Sequence, residues 1–455
     1  MIVNGDQRRR GDDTPRPTTT LALLATRRFW PLCITQACGA LNDNLVRNAL
    51  VVLALFRAGA AGPILVALAA GLFVFPYMLF SATAGQLADR HDKARLIRLL
   101  KLAELVLMGT AALGFLLDSI PVLLLVLVAL GVQASFFGPL KYGILPDHLR
   151  PQELLAGNGL IEATTFVAIL VGTMAGGWLV LLPRGPIVIS TTGLAVAVVG
   201  VLAAWPIPPA PPRASNAADW QILRATAGLV RAARQEPGIW QPILGISWFW
   251  TLGATLIAEF PVLAKVTLGA GGELVSLFLT MFSFGIGAGS LLCARVLKGE
   301  ASARYVPFAL FGISLFAWDF AVAGSGARGL VSVSAVLASP VGWRMLLDLV
   351  LLSACGGLYS VPLYALIQQR AMPAWRARMV AASNVMNAAF MVAGAVVAAG
   401  LAAAGATAPR ILIVMAAVNL LAVAWSVRFL PPGALRGATD GCARLWHRIA
   451  ARRRG

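Results

Sequence analysis

The chain is 455 residues long, 59% hydrophobic and only 12% charged, with a mean hydropathy of +0.80. Those proportions exclude an ordinary soluble globular domain and indicate a polytopic membrane protein. The formal net charge of +18 raises nucleic acid as a partner, but the basic residues are dispersed over the loops on one side of the apolar segments, which argues against it.

The first 28 residues are polar and basic (Arg8, Arg9, Arg10, Arg16, Arg27, Arg28) and read as a cytoplasmic segment with no cleavable signal peptide. Twelve apolar stretches follow, each near the roughly 20 residues that one crossing requires. They run over 29–56, 62–84, 95–117, 120–142, 155–182, 186–206, 240–268, 272–297, 304–324, 342–368, 378–404 and 408–430. The expected fold is all-α, with one six-helix bundle over 29–206 and another over 240–430, joined by a cytoplasmic linker over 207–239. A basic cytoplasmic tail occupies 431–455, where Arg436, Arg444, Arg448, Arg452, Arg453 and Arg454 surround Leu445, Trp446 and Ile449 as an inner-leaflet anchor. The linker opens on Pro206, Pro208, Pro209, Pro211 and Pro212. It then offers an amphipathic helix at the inner interface, capped by Asp219, with Trp220, Leu223, Ala227 and Val230 on one face and Arg224, Arg231 and Arg234 elsewhere.

With the N-terminus inside, inner loops carry Arg90, Lys93, Arg95, Arg98, Lys101, Arg150 and many later arginines, whereas outer loops carry only Arg57, Arg184, Arg328 and Arg410. This asymmetry places both termini in the cytoplasm. The five cysteines (Cys33, Cys38, Cys293, Cys355, Cys442) lie mostly in apolar stretches at no metal-like spacing, so neither a disulfide framework nor a metal site is expected. No cofactor motif is present.

Charges inside the apolar stretches carry the functional information, because each costs a few kcal/mol unless it meets a partner, water or a ligand. Asp43 and Arg47 stand one helical turn apart in the first segment, where Arg47 is expected to lock and release Asp43. Lys141 closes the fourth segment, Asn158 and Glu162 open the fifth, and Glu259 lies within the seventh as a candidate for proton coupling. Arg344 and Asp348, also one turn apart, are expected to pair near the outer face. Gly172 with Gly176, and Gly285 with Gly289, read as close helix contacts. The halves also echo each other: Gly138-Pro139-Leu140-Lys141-Tyr142 against Val361-Pro362-Leu363-Tyr364, and Asn158-Gly159-Leu160-Ile161 against Asn384-Val385-Met386-Asn387.

Gly85-Gln86-Leu87-Ala88-Asp89-Arg90-His91-Asp92-Lys93-Ala94-Arg95 resembles the signature loop of the major facilitator superfamily, with Asp92 where that loop usually has Gly. The resemblance implies two six-helix halves and gives Gly85, Asp89, Arg90, Lys93 and Arg95 a gating role. Within that superfamily the chain resembles the lysophospholipid transporter family, and the transporter half of proteins fused to an acyltransferase. The matching stretches are 39–50, 80–89, 138–145 and 158–163, with smaller echoes at Trp248-Phe249-Trp250 and Gly253-Ala254-Thr255.

That resemblance implies a lysophospholipid substrate, membrane lipids as partners, a bacterial inner-membrane location, inward movement of the lipid and a separate acyltransferase to restore the second chain. Asp43, Arg47, Lys141, Asn158 and Glu162 are the expected substrate-binding residues. Lys141 suits a phosphate and Asp43 an ammonium. Members of the family can carry an arginine in the region of Ile257, so any phosphate clamp here shifts to Lys141 or Arg47. The alternative is an efflux carrier for drugs or small amphipaths, since one fold hosts many substrates. Catalysis is not expected: His148 and Glu153 only approach the His-x4-Asp spacing of the fused enzymes.

Overall fold

Apolar stretches of this length satisfy their backbone polar groups in lipid only as helices. The computed structural model describes residues 20–57, 62–214, 219–327 and 329–429. The basic tail over 431–455 and most of the basic N-terminal segment lie outside the described residues. Helices α1 (Trp30–Arg57), α2 (Gly62–Arg90), α3 (Lys93–Leu116), α4 (Ile120–Gly143), the short α5 (Leu145–His148), α6 (Leu154–Leu179) and α7 (Gly185–Ala204) precede the linker helix α8 (Ile222–Arg234). Then come α9 (Pro237–Val262), α10 (Gly272–Val296), α11 (Val306–Gly326), the short α12 (Val333–Ala338), α13 (Pro340–Arg370), α14 (Arg376–Ala403) and α15 (Ala408–Ser426).

Eleven of the long helices are apolar enough to cross a membrane. The twelfth, α1, spans 28 residues and is set apart by its polar groups, Gln36, Asn42, Asp43, Asn44, Arg47 and Asn48. Helices α1, α2, α3, α4, α6 and α7 pack on one another, as do α9, α10, α11, α13, α14 and α15. The two sets meet along α2–α14, α4–α14, α6–α10 and α6–α13.

The paired glycines permit this packing. A Cβ on Gly172 would lie 2.4 Å from the Leu41 carbonyl oxygen, and one on Gly289 would lie 2.1 Å from that of Ala354, so α6–α1 and α10–α13 approach at backbone contact. The linker is stitched to the loop between α2 and α3. Asp92 accepts from the Arg95 amide at 3.0 Å as the N-cap of α3, and its other oxygen accepts from the Ala210 amide at 3.0 Å. The departure from the usual Gly at position 92 therefore has a local purpose.

Three expectations need correction. Lys101 is not a loop residue: it lies within α3 at 1% exposure and donates to Glu104 at 2.6 Å. Asn42 and Gln133 donate to the same carboxylate at 3.2 and 3.3 Å, and the Lys101 ammonium sits 5.1 Å from the Phe137 ring centre. This network ties α1, α3 and α4 together; Lys101 looked like a topological charge because it follows a run of basic residues. The linker helix buries Ala225, Leu229 and Ala233 against the bundle and leaves Trp220 and Leu223 exposed. It rests on α2, α9 and α14, and small residues allow that contact where Trp220 and Leu223 would not. Asp219 does not cap α8; it binds the Gln221 amide and Arg224, whose guanidinium holds the Asp219 carboxyl below the usual carboxylate range. Finally, Arg344 pairs with Asp319 of α11 and not with Asp348, because α11 presents a carboxylate across the helix interface.

Removing one member of a buried, fully bonded ion pair costs about 3–5 kcal/mol, whereas replacing both by apolar groups is often neutral. Glu104→Ala is therefore expected to lower the unfolding temperature of the purified protein sharply, and Lys101→Met added to it to recover most of the loss. Equal stability of wild type and Glu104→Ala in a thermal melt would refute a structural role for this network.

Candidate substrate site between the two halves

The helix ends near Arg90, Lys93 and Arg150, together with the linker, form the basic end of the bundle. Here the halves are closed. Asp89, at the end of α2, accepts from the Ala377 and Arg378 amides at 3.0 and 3.2 Å, and from the Arg378 guanidinium at 3.1 Å. It thus caps α14 of the opposite half, not the following helix α3. A Cβ on Gly85 would meet the Ala381 Cβ at 2.7 Å, so this glycine sets how closely α2 and α14 cross. Lys93 is buried against Asp147 at 2.9 Å, and Arg213 of the linker reaches the same carboxylate at 3.3 Å. Arg28 holds Glu153 at 2.6 Å and bonds the His148 carbonyl, so Glu153 is engaged by an arginine.

Further in, Asn158 and Gln368 exchange amide hydrogen bonds of 2.7 and 2.9 Å across the halves, and Gln368 also donates to the Tyr142 carbonyl. The echo in the sequence has a spatial meaning. Tyr142 and Tyr364, which end the two related motifs, stack across the interface with ring centres 4.2 Å apart and planes 7° from parallel. Trp250 donates to the Tyr364 hydroxyl at 3.1 Å, and Phe166 packs on Trp250, Phe249 and Phe282. A Cβ on Gly138 would lie 2.4 Å from the Asn384 amide nitrogen, which sets a motif of the first pair against one of the second across the halves.

Beyond this layer the predicted polar residues gather. Lys141 is half-buried and, among the described residues, makes no hydrogen bond or ion pair; its ammonium lies 4.9 Å from the Tyr142 ring centre. Asp43 and Glu162 both act electrostatically on it. Asp43 keeps Oδ1 buried without a hydrogen-bond partner. The expected Asp43–Arg47 pair is not formed: Arg47 donates to Asn44 and lies 5.5 Å from the Phe73 ring centre. Glu162 accepts from Ser360 of the opposite half through Oε1 and leaves Oε2 buried and unpartnered. Arg47 and Asn48 also line a cavity of about 110 Å³ with Phe166, Thr173, Ile257 and Phe282.

The arrangement thus brings Asp43, Arg47, Lys141 and Glu162 to the space between the halves, while Asn158 is engaged in closing the basic end. Glu259 is apart from them, at the far end of the C-terminal half. Tyr142, Tyr364, Trp250 and Gln368 are additions that reading the sequence missed. The Pro-Leu-(Lys)-Tyr echo was the signal that could have found the two tyrosines.

A model of the Major Facilitator Superfamily matches residues 32–388. The chain belongs to the major facilitator superfamily. It is similar to the lysophospholipid transporter LplT of Enterobacter sp. (strain 638), 29% identical over 311 residues, which are 66% of this chain and 70% of that protein. It is also similar to LplT of Shigella sonnei (strain Ss046), 28% identical over 347 residues, 74% of this chain and 79% of that one. Among solved structures it resembles the human organic anion transporter MFSD10, with a TM-score of 0.73 at 15% identity, covering 88% of this chain and 99% of that one. A bacterial homologue of the iron transporter ferroportin in its outward-facing state gives 0.65 at 15% identity, covering 89% and 99%. At such identities the structures speak for the fold alone. As a member of this superfamily the protein is a multi-pass membrane transporter.

The Asp89 cap makes a direct prediction. Asp89→Asn weakens the charge-assisted bonds to α14, so spin labels at the exposed His91 and Met372 should show a distance distribution shifted outward. An unchanged distribution would mean that this contact does not hold the basic end closed.

Proposed function

We propose that this protein moves lysophospholipids across the bacterial inner membrane, from the outer to the inner leaflet, with the basic end and both termini in the cytoplasm. The observation that carries this reading is the unpaired Lys141 facing the space between the halves beside the unpartnered oxygens of Asp43 and Glu162. A lysophospholipid brings a phosphate, often an ammonium, and one acyl chain; Lys141 complements the phosphate as a point charge and Asp43 complements the ammonium. The curated relatives are named for lysophospholipid transport, which favours this substrate class over drugs.

Arg47 is the second phosphate ligand in this proposal. It shares its small cavity with Ile257, the α9 region in which family members can carry an arginine, so a cation from α1 reaches the same space from the opposite side. Asn158 serves the gate more than the headgroup, since its amide is spent on Gln368. With the basic end inside, the closed contacts described above shut the site off from the cytoplasmic side. In this proposal the tail stays in lipid and reaches the site sideways. Keeping the chain in lipid avoids a cost of about 0.8 kcal/mol per CH₂ drawn through water. A separate acyltransferase would consume the product on the inner leaflet.

Inward movement of labelled lysophosphatidylethanolamine in proteoliposomes, run beside a cationic dye, tests this. Wild type is expected to move the lipid and not the dye, Lys141→Ala and Asp43→Asn to reduce lipid movement roughly tenfold or more, about 1.4 kcal/mol or greater. Dye transport without lipid movement would replace the proposal by an efflux carrier. Lipid movement indifferent to both substitutions would retain the substrate and reject the site.

A further inference from the structure

A cavity of about 540 Å³ opens at the end of the C-terminal half remote from the basic end. One wall is the end of α9, with Glu259, Val262, Val266 and Thr267; the others are Ser325 of α11 and the turn from α14 to α15, residues 402–409. All of its lining residues belong to the C-terminal half, so it is separate from the space that holds Lys141 and Asp43.

Three features set this cavity apart from an accidental gap. Its wall is mostly aliphatic, yet it contains one carboxylate. Glu259 is only 8% exposed as a residue, lines the cavity, and makes no hydrogen bond or ion pair among the described residues. Its carboxylate is therefore turned to an open, mostly apolar cavity with its hydrogen-bonding capacity unmet from within the described chain, which leaves it free to meet a group from outside. Among the described residues no lysine or arginine lines the cavity; Lys265 and Arg410, near it in sequence, are exposed. The wall is also shaped locally: α9 does not end as an α-helix but continues as a π-helical turn over Leu263–Thr267, closed by the Leu268 amide on the Leu263 carbonyl at 3.0 Å. Such turns widen a helix and recur at functional sites. The turn brings Val266 and Thr267 to the cavity, which Thr407 and Ser325 also line.

We infer that this cavity is a binding site for a primary ammonium group carried on an apolar body, with Glu259 as its counter-ion. An apolar pocket with a single convergent charge is the usual form of a small-molecule site. The volume greatly exceeds that of a water molecule, and the aliphatic wall accepts the carbon chain next to the amine. The same chemistry is offered by an amine-bearing lysolipid arriving in the outer leaflet and by a free lipophilic amine. The inference does not depend on the lysophospholipid reading, because it concerns binding by the C-terminal half and not movement across the membrane.

The test is ligand occupancy of the purified full chain by native mass spectrometry, titrated with hexadecylamine and hexadecanol, which share a tail and differ in the charged head. Wild type should bind hexadecylamine at least tenfold more tightly than hexadecanol, and Glu259→Gln should abolish that preference. Ala406→Phe, which keeps the carboxylate and fills the cavity, should abolish it too, and decides the matter if Glu259→Gln proves unstable. Parallel titrations with lysophosphatidylethanolamine and lysophosphatidylglycerol identify the source: dependence on Glu259 for the first alone marks a lipid headgroup site, and dependence for hexadecylamine alone marks a site for free amines. Equal hexadecylamine binding by wild type and both folded variants would overturn the inference, whatever the transport assay gives.

Discussion

The closed arrangement depends on one carboxylate that crosses between the halves. Asp89 belongs to α2 by sequence and to the start of α14 by bonding, where it satisfies two backbone amides and the Arg378 guanidinium. It can do so only because Gly85, one helical turn earlier, lets α2 and α14 touch. With that crossing in place, Asn158 comes within reach of Gln368 and Tyr142 of Tyr364. A buried ion pair is costly to break from one side alone yet contributes little net stability, since desolvation offsets most of its attraction. That balance suits a contact that must both hold a state and release it.

The remaining charges divide into two kinds. Lys101 with Glu104 and Lys93 with Asp147 are buried and paired, and they bind helices together within the N-terminal half. Lys141, Asp43 and one oxygen of Glu162 lack such partners and face the interface between halves. Burial alone does not separate the two kinds, because Lys101 and Glu162 are both buried. The distinction is whether the polar capacity of each group is met from within the chain. Unmet capacity at the interface points toward a polar ligand.

Much of this was legible in the sequence. Spans of about 20 apolar residues, the six-plus-six spacing and the loop around Asp89 were enough for the architecture, because lipid allows so few alternatives. The interior charges were legible as exceptions, but their partners were not. Arg47 was read with Asp43 and Arg344 with Asp348 from helical spacing alone, and each instead bonds another residue, Asn44 in the first case and Asp319 in the second. Spacing identifies a shared face; it does not weigh a neighbour brought in by packing. Lys101 was lost in a run of basic residues whose other members do lie near the basic end.

The polarity of α1 carries a consequence for biogenesis. An aspartate and an arginine near the middle of a helix each add roughly 2.5–3.5 kcal/mol to its insertion into lipid, and the asparagines add more. As the first long hydrophobic helix of the described chain to emerge during synthesis, α1 would therefore be a poor independent passenger into the bilayer. Its partners are made later: α3 supplies Glu104 for Asn42, and α6 supplies Thr173 for Asn48 and Thr164 for Gln36. Stable seating of the first membrane segment must wait for the fifth, so the N-terminal half is expected to assemble as a cooperative unit after its segments have left the ribosome, and not one helix at a time.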